Sequence, residues 1–167
     1  MVKSSIIQTI SNVKDFLYIV LFDHLIYNKG RNSGNLLVTV SKDIKLYMID
    51  HSHVFKNQCI WDKACFSNGI KNNDYLDIDI MEYNSYLYKM FFNNLNVDKD
   101  KLLNISAEFK QTITHDLLEQ IIDNLPLDWV VDLEDVNELK VYICYRLSHL
   151  DEIVNMIFEY KKRSWLM

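Results

Sequence analysis

The scarcity of glycine and proline constrains this chain most. Only three glycines and one proline occur among its 167 residues. That is too few for the many tight turns of a β-sandwich or barrel, so the chain is expected to be mainly helical. Hydrophobic residues make up 49% of the chain, enough to build a core at this length without disulfides. We therefore predict one domain over residues 1–167, of the α+β class but mostly α.

A long apolar run and a pair of β-rich runs dominate the first third of the chain. Residues 12–27 are apolar on nearly every face, which predicts a buried central helix with Asn12 as its N-cap. The runs 35–40 and 44–50 are joined by a short polar link, which predicts a β-hairpin. Two short strands are not stable alone, so the hairpin must pack on helices.

The rest of the chain is predicted from its polar breaks and helical periodicity. Residues 56–82 are polar and interrupted by Gly69, which predicts a loop with a helical turn or two. Pro126 ends one helical segment, since proline cannot continue a helix interior. Helices are expected from residue 83 onward, over about 100–110, from Thr114, over about 133–147 and over about 149–163.

Asn35 and Asp50 lie at the two ends of the predicted hairpin. Phosphoryl transfer needs magnesium held against the phosphates and a carboxylate that orients the acceptor hydroxyl. Kinase-like folds supply the metal ligands from a loop ending in Asn and from an Asp after the following hairpin. Because a hairpin returns the chain to its start, we expect the Asn35 and Asp50 side chains to converge on one cavity beside the 28–34 loop.

The stretch "FDHLIYNKGRNSGNLLV", followed by "LYMIDHSHVF", resembles the HipA-like serine/threonine kinases and, more distantly, the phosphatidylinositol kinases. Their motif runs Asn-x-Asp-Arg-His-x-x-Asn and is followed, after a hairpin, by Ile-Asp-His or Ile-Asp-Phe. The matching positions are, in order, Asn28, Arg31, Asn35, Asp50 and His51. The later "LPLDW" and "YICYRLSHL" also resemble family segments, so the resemblance covers most of residues 15–155.

The resemblance implies a kinase-type C-terminal lobe, with one β-hairpin packed on a helical bundle. It also implies ATP and Mg²⁺ as cofactors, with Asn35 and Asp50 as the nucleotide and metal ligands. Two departures stand against catalysis. The family's catalytic Asp falls on Gly30 and the neighbouring His on Asn32, and loss of a positioned base costs about a hundred- to ten-thousand-fold in rate. The family's N-terminal lobe, which holds the phosphates, has no counterpart in the dozen residues before the first long helix.

Three functions are consistent with these departures. The first is a degenerate kinase lobe that binds a partner protein as a regulator or inhibitor, with weak or no use of ATP and Mg²⁺. The second is half of a split protein or lipid kinase, completed by a separately encoded N-terminal lobe, with Asp23 or Asp50 replacing the lost base. The third is a structural or oligomer-forming protein in which the motif is a relic. Homo-oligomerisation stays open in all three.

Other candidate residues have weaker support. His51 and His53 form a His-x-His pair that would bind a metal ion if both rings faced one way. His115 and Glu119 share a helical face, for which a solvated pair or a cap is the better interpretation. Cys59 and Cys65 have no evident base nearby, so neither is expected to be a nucleophile.

Charge and hydropathy indicate the compartment and exclude some partners. The net charge of −5 argues against nucleic acid, whose binding depends on Lys and Arg. The basic "YKKRSW" near the C-terminus suits a helix end rather than a nucleic-acid or membrane patch. The apolar run 16–22 is too short to cross a bilayer, and the three cysteines form no Cys-x-x-Cys pair. We predict a cytoplasmic protein without a membrane partner.

Overall fold

The computed structural model describes residues 4–57, 61–126, 128 and 132–165. Within these ranges the protein is mostly helical, with one two-stranded antiparallel sheet. The predicted α+β, mostly α, class is therefore confirmed. The helices are α1 Ser4–Ile7, α2 Asp15–Leu25, α3 Lys63–Lys71, α4 Asp79–Tyr83, α5 Ser85–Leu95, α6 Lys99–Thr112, α7 His115–Asp123, α8 Leu133–Ser148 and α9 Leu150–Ser164, and the strands are β1 Leu36–Val38 and β2 Leu46–Met48.

Helix α2 lies at the centre of the core, as its apolar sequence predicts. Its residues are buried on most sides, and it contacts α6, α8 and α9. The Phe16 ring stacks on Phe91 of α5 with 3.7 Å between ring centroids. A helix that is apolar on nearly every face is stable in water only when neighbouring elements surround it, as they do here.

Asn12 does not cap α2, so that prediction is wrong. The residue before the helix is Lys14, which makes no side-chain cap hydrogen bond. The Asn12 amide instead accepts from the Leu46 N–H at 2.8 Å and donates to the Leu46 carbonyl at 3.0 Å. Because these two bonds satisfy a strand edge, Asn12 fastens the hairpin to the start of the central helix.

The predicted hairpin is confirmed, with strands shorter than expected. Leu36 pairs with Met48, Leu37 with Tyr47, and Val38 with Leu46. Leu36 and Leu46 are buried in the main core, whereas Leu37 and Tyr47 on the opposite face are exposed. One face of the hairpin therefore packs on the helices, which is the support that a two-stranded sheet needs.

Residues 56–82 contain more helix than predicted. Helices α3 and α4 and a 3-10 turn at Asp74–Leu76 occupy much of this segment. The Asp62 side chain accepts from the Cys65 N–H at 2.8 Å and so caps α3. Helix α3 packs against α8, and a Cβ added to Gly69 would lie 2.8 Å from the Tyr142 ring. The glycine that reads as a loop signal is thus a close helix contact.

The later helices agree with the periodicity. The Thr114 side chain accepts from the Leu117 N–H at 3.1 Å, as expected for the cap of α7. Lys161, Lys162 and Arg163 lie in the last turn of α9, where positive charge is favourable. No helix within the described ranges combines the length and hydropathy required to cross a membrane.

Candidate functional site

A buried ion pair anchors the loop that precedes the hairpin. Arg31 in the loop donates from Nη2 to Asp23 Oδ1 at 2.8 Å and from Nε to Oδ2 at 3.1 Å. Neither side chain is exposed to solvent. Burial raises the pKa of the Asp23 carboxyl, and the Arg31 guanidinium opposes this rise. Since an unpaired buried charge is very costly, this pair fixes the loop to α2.

Arg31 also joins the two ends of the hairpin. Its Nη1 donates to the Asn35 carbonyl at 3.1 Å and to the Ile49 carbonyl at 3.0 Å. The Ile49 N–H in turn donates to the Asn35 carbonyl at 3.0 Å. Asp50 therefore follows directly on a residue that is hydrogen-bonded across the hairpin to Asn35.

Three further side chains complete this buried network. Asn28 donates to Asp23 Oδ1 at 2.8 Å and accepts from the Gly30 N–H at 2.9 Å. Asn84, between α4 and α5, accepts from the Arg31 N–H at 2.9 Å and donates to the Asn28 carbonyl at 2.9 Å. The Tyr88 hydroxyl donates to Asp23 Oδ2 at 3.0 Å.

Asn28 and Arg31 are thus structural members of the loop. The predictions missed Asn84 and Tyr88, because they lie more than fifty residues further along the chain. Helical periodicity places Tyr88 in the core, which is correct. No local sequence signal indicates that its hydroxyl contacts Asp23.

Gly30 lies against the chain that leaves the hairpin. A Cβ added at Gly30 would be 2.8 Å from the His53 Cβ and 3.1 Å from its Cγ. The two segments are held together by a hydrogen bond of 3.1 Å from the Lys29 N–H to the His53 carbonyl. The Gly30 carbonyl accepts from Asn35 Nδ2 at 2.7 Å. A side chain at this position would therefore collide with His53.

Asn35 and Asp50 offer the type of oxygen ligand that Mg²⁺ prefers. The Asn35 amide nitrogen is engaged by Gly30, and its Oδ1 receives no hydrogen bond from the part of the chain that the structure describes. Asp50 is exposed, has a φ of 53°, and accepts from the Ser52 N–H at 3.2 Å. Two oxygen ligands suit Mg²⁺, which usually keeps waters and bound phosphates as its others. Convergence of the two side chains on one cation stays a prediction.

Asp23 and Asp50, the two acids expected to act as the base if the chain is half of a kinase, differ in their surroundings. The Asp23 carboxylate is buried and accepts four hydrogen bonds, so an acceptor hydroxyl cannot reach it. Asp50 is accessible, and hydrogen bonds from Ser52 lower its pKa. Its carboxylate is therefore ionised at neutral pH but is a weak base.

A second buried ion pair lies beside the last turn of α2. Arg146 of α8 pairs with Asp74 and donates from Nε and Nη2 to the His24 carbonyl, at 2.9 and 2.6 Å. The His24 ring is fully buried, and neither of its nitrogens has a hydrogen-bond partner among the residues described. Burial lowers the pKa of His24 to about 3, so this ring is neutral at physiological pH.

The weaker candidates are not assembled into sites. His51 packs edge-on against Phe22, whereas the His53 ring lies over Gly30. Glu119 pairs with Lys140 of α8 at 3.0 Å. Burial raises the pKa of the Cys65 thiol, which disfavours the reactive thiolate. Cys59, like part of "LPLDW", lies outside the described residues.

Across residues 4–57, 61–126, 128 and 132–165, no group of three or more His, Cys, Asp or Glu side chains is arranged to hold a metal ion.

Comparison with known proteins adds no relative. No family model, no curated protein and no solved structure matches this chain.

Proposed function

We propose that this protein is a degenerate HipA-like kinase lobe that acts by binding a partner protein, with weak or no use of ATP and Mg²⁺. In this role the loop and hairpin keep the form of a phosphotransfer site without its chemistry. The partner in this role is another protein, which the chain regulates or inhibits.

The packing of His53 on Gly30 carries the proposal. Gly30 occupies the position at which the resemblance expects the catalytic carboxylate. A Cβ there would lie 2.8 Å from the His53 Cβ, so His53 of the same chain occupies the space that the side chain of an acid would need. Meanwhile the buried Asp23–Arg31 pair still holds the loop. The scaffold is maintained while the base is both absent and sterically excluded, which favours binding over catalysis.

Asp50 favours a second candidate, a split kinase completed by another chain. Its carboxylate is exposed and ionised beside the loop. Together with Asn35 Oδ1 it supplies two ligands of the kind that hold Mg²⁺ against phosphates. On this alternative the partner contributes the groups that position the nucleotide and the acceptor, and the isolated chain binds Mg²⁺ and ATP weakly.

A melting-temperature titration with ATP and MgCl₂ separates the two candidates. A ligand at about a hundred times its dissociation constant stabilises a protein by about 2.7 kcal/mol. We expect millimolar MgATP to give far less stabilisation than this, and no difference between wild type and Asp50→Ala.

Asp43→Ala is the matched control, since Asp43 is an exposed acid in the hairpin link. Any reproducible MgATP shift, even a small one, that Asp50→Ala abolishes and Asp43→Ala preserves would favour the split kinase and contradict the proposal.

A further inference from the structure

The outer edge of β2 is covered at Ile44 and Leu46 by the chain that precedes α2. The Ser11 N–H donates to the Ile44 carbonyl at 2.8 Å. The Asn12 amide satisfies both backbone groups of Leu46. Around Leu46 this edge is therefore blocked from pairing with another strand, which is one way in which proteins protect sheet edges from unwanted association.

The outer edge of β1 is open. The Thr39 N–H donates to the Lys45 carbonyl at 2.9 Å, so the alternation of an antiparallel ladder turns the backbone groups of Val38 away from β2. The Leu36 carbonyl points the same way. None of the residues that the structure describes hydrogen-bonds to the Val38 N–H or to the carbonyls of Leu36 and Val38. The edge offers one donor and two acceptors in strand geometry.

An apolar cleft adjoins this open edge. It has a volume of about 480 Å³ and lies between α1 and the hairpin, with Ile6 on one wall and Val38, Val40 and Ile44 on the other. None of its lining residues is charged. The Val40 side chain is fully exposed to solvent. The cleft is large enough to receive an apolar side chain.

We propose that an extended, uncharged segment of a partner polypeptide adds to β1 as a third strand and inserts an apolar side chain into this cleft. Main-chain hydrogen bonds to an open edge supply affinity, and a neighbouring pocket supplies side-chain preference. A third strand also stabilises a sheet that is marginal with two. This inference rests on the proposed partner-binding function and names the chemistry of the partner.

A second copy of this chain fits the edge less well than a free peptide does. The Leu36 side chain is only 5% exposed and belongs to its own core, where Val38 also packs. When β1 of one copy pairs with β1 of another, these side chains are unavailable for the neighbouring cleft. An extended peptide has its alternate side chains free.

Selection from a phage-displayed library of random short peptides tests the inference. We expect the recovered peptides to be uncharged with alternating apolar residues. The affinity of a chemically synthesised peptide, measured by fluorescence anisotropy, should fall about tenfold or more when its ladder amides are N-methylated, because they can then no longer donate to the edge carbonyls. A tenfold fall corresponds to about 1.4 kcal/mol.

Val38→Pro removes the outward N–H without touching the β1–β2 ladder, and Val40→Lys adds a charge at an exposed position. Each substitution should lower the affinity for the peptide about tenfold or more. Tyr47→Lys, an exposed change on the far strand, is the matched control and should leave binding unchanged. Val40→Lys keeps the test valid if Val38→Pro unfolds the chain, which its melting temperature reveals.

Three outcomes would overturn the inference: no recovered peptide, recovered peptides indifferent to Val38→Pro and Val40→Lys, or a concentration-dependent dimer of the chain alone that Val40→Lys dissociates. Peptides indifferent to both variants would locate the partner surface elsewhere and leave the proposed binding role standing. Phosphate transfer by the isolated chain would instead contradict that role.

Discussion

Substitution of Gly30 by alanine measures how tightly the segment that contains His53 packs on the loop before the hairpin. The new Cβ would lie 2.8 Å from the His53 Cβ. Both residues are held in place by hydrogen bonds to their carbonyls, from the Lys29 N–H to His53 at 3.1 Å and from Asn35 Nδ2 to Gly30 at 2.7 Å. Overpacking of this kind costs about 1–3 kcal/mol. Alanine also reduces the conformational entropy of the unfolded chain, which by itself stabilises the folded state by about 0.4–1 kcal/mol. Equilibrium urea unfolding should therefore show a net destabilisation of about 1–2 kcal/mol.

The clash also predicts a specific rescue. His53→Gly deletes the opposing Cβ, so in that background Gly30→Ala should be neutral or slightly stabilising, with a coupling energy of about 1–3 kcal/mol. Gly34→Ala is the control, because its nearest neighbour is the movable Asn32 Oδ1 at 3.0 Å, and it should change stability by about 0.5 kcal/mol or less. Equal costs at positions 30 and 34, or no rescue by His53→Gly, would refute the reasoning.

Three further changes probe individual polar side chains. Arg31→Met should cost about 3–5 kcal/mol in urea unfolding, because it leaves the Asp23 carboxylate buried without its partner; the double change with Asp23→Leu should cost less, and equal costs would contradict this. The pKa of His24 is lowered to about 3 in the folded state, so below pH 6.5 the unfolded chain binds a proton that the folded chain does not. The free energy of unfolding is therefore unaffected by His24 above pH 6.5 and falls below it by about 1.4 kcal/mol per pH unit. His24→Phe should flatten that dependence, whereas His115→Gln should leave it; an unchanged slope in His24→Phe would contradict the assignment. Asn12→Ala should accelerate amide hydrogen exchange in β2 and not in α2, whereas faster exchange confined to α2 would restore the capping role.

Local patterns predict the elements well wherever a helix or strand buries one regular face. The central helix, the hairpin and the Thr114 cap follow from periodicity and from a side chain bonding a few residues ahead. The two errors involve partners distant in sequence. Asn12 precedes a helix and looks like its cap, yet its amide finds a strand edge 34 residues later. Gly69 looks like a loop signal, but the side chains that leave no room for a Cβ there are Asp74 and Tyr142, which come later in the chain.

The candidate site shows the same division. The positions of Asn28, Arg31 and Asn35 are readable from the motif, and the structure joins them in one hydrogen-bonded loop. Their partner Asn84 approaches from the start of α5, and nothing in the flanking residues predicts it. The contact between Gly30 and His53 depends on how closely two loops approach, which no spacing rule supplies.

Transfer of radiolabelled phosphate from ATP, with Mg²⁺ present, tests the central claim most directly. Purified wild-type chain and Gly30→Asp should both label neither themselves nor a generic protein substrate. On the proposed function the wild type has no carboxylate at position 30, and the new carboxylate of the variant would collide with His53, so neither chain orients an acceptor hydroxyl. Labelling by the wild-type chain that Asp50→Ala abolishes would contradict the account and establish a phosphotransferase.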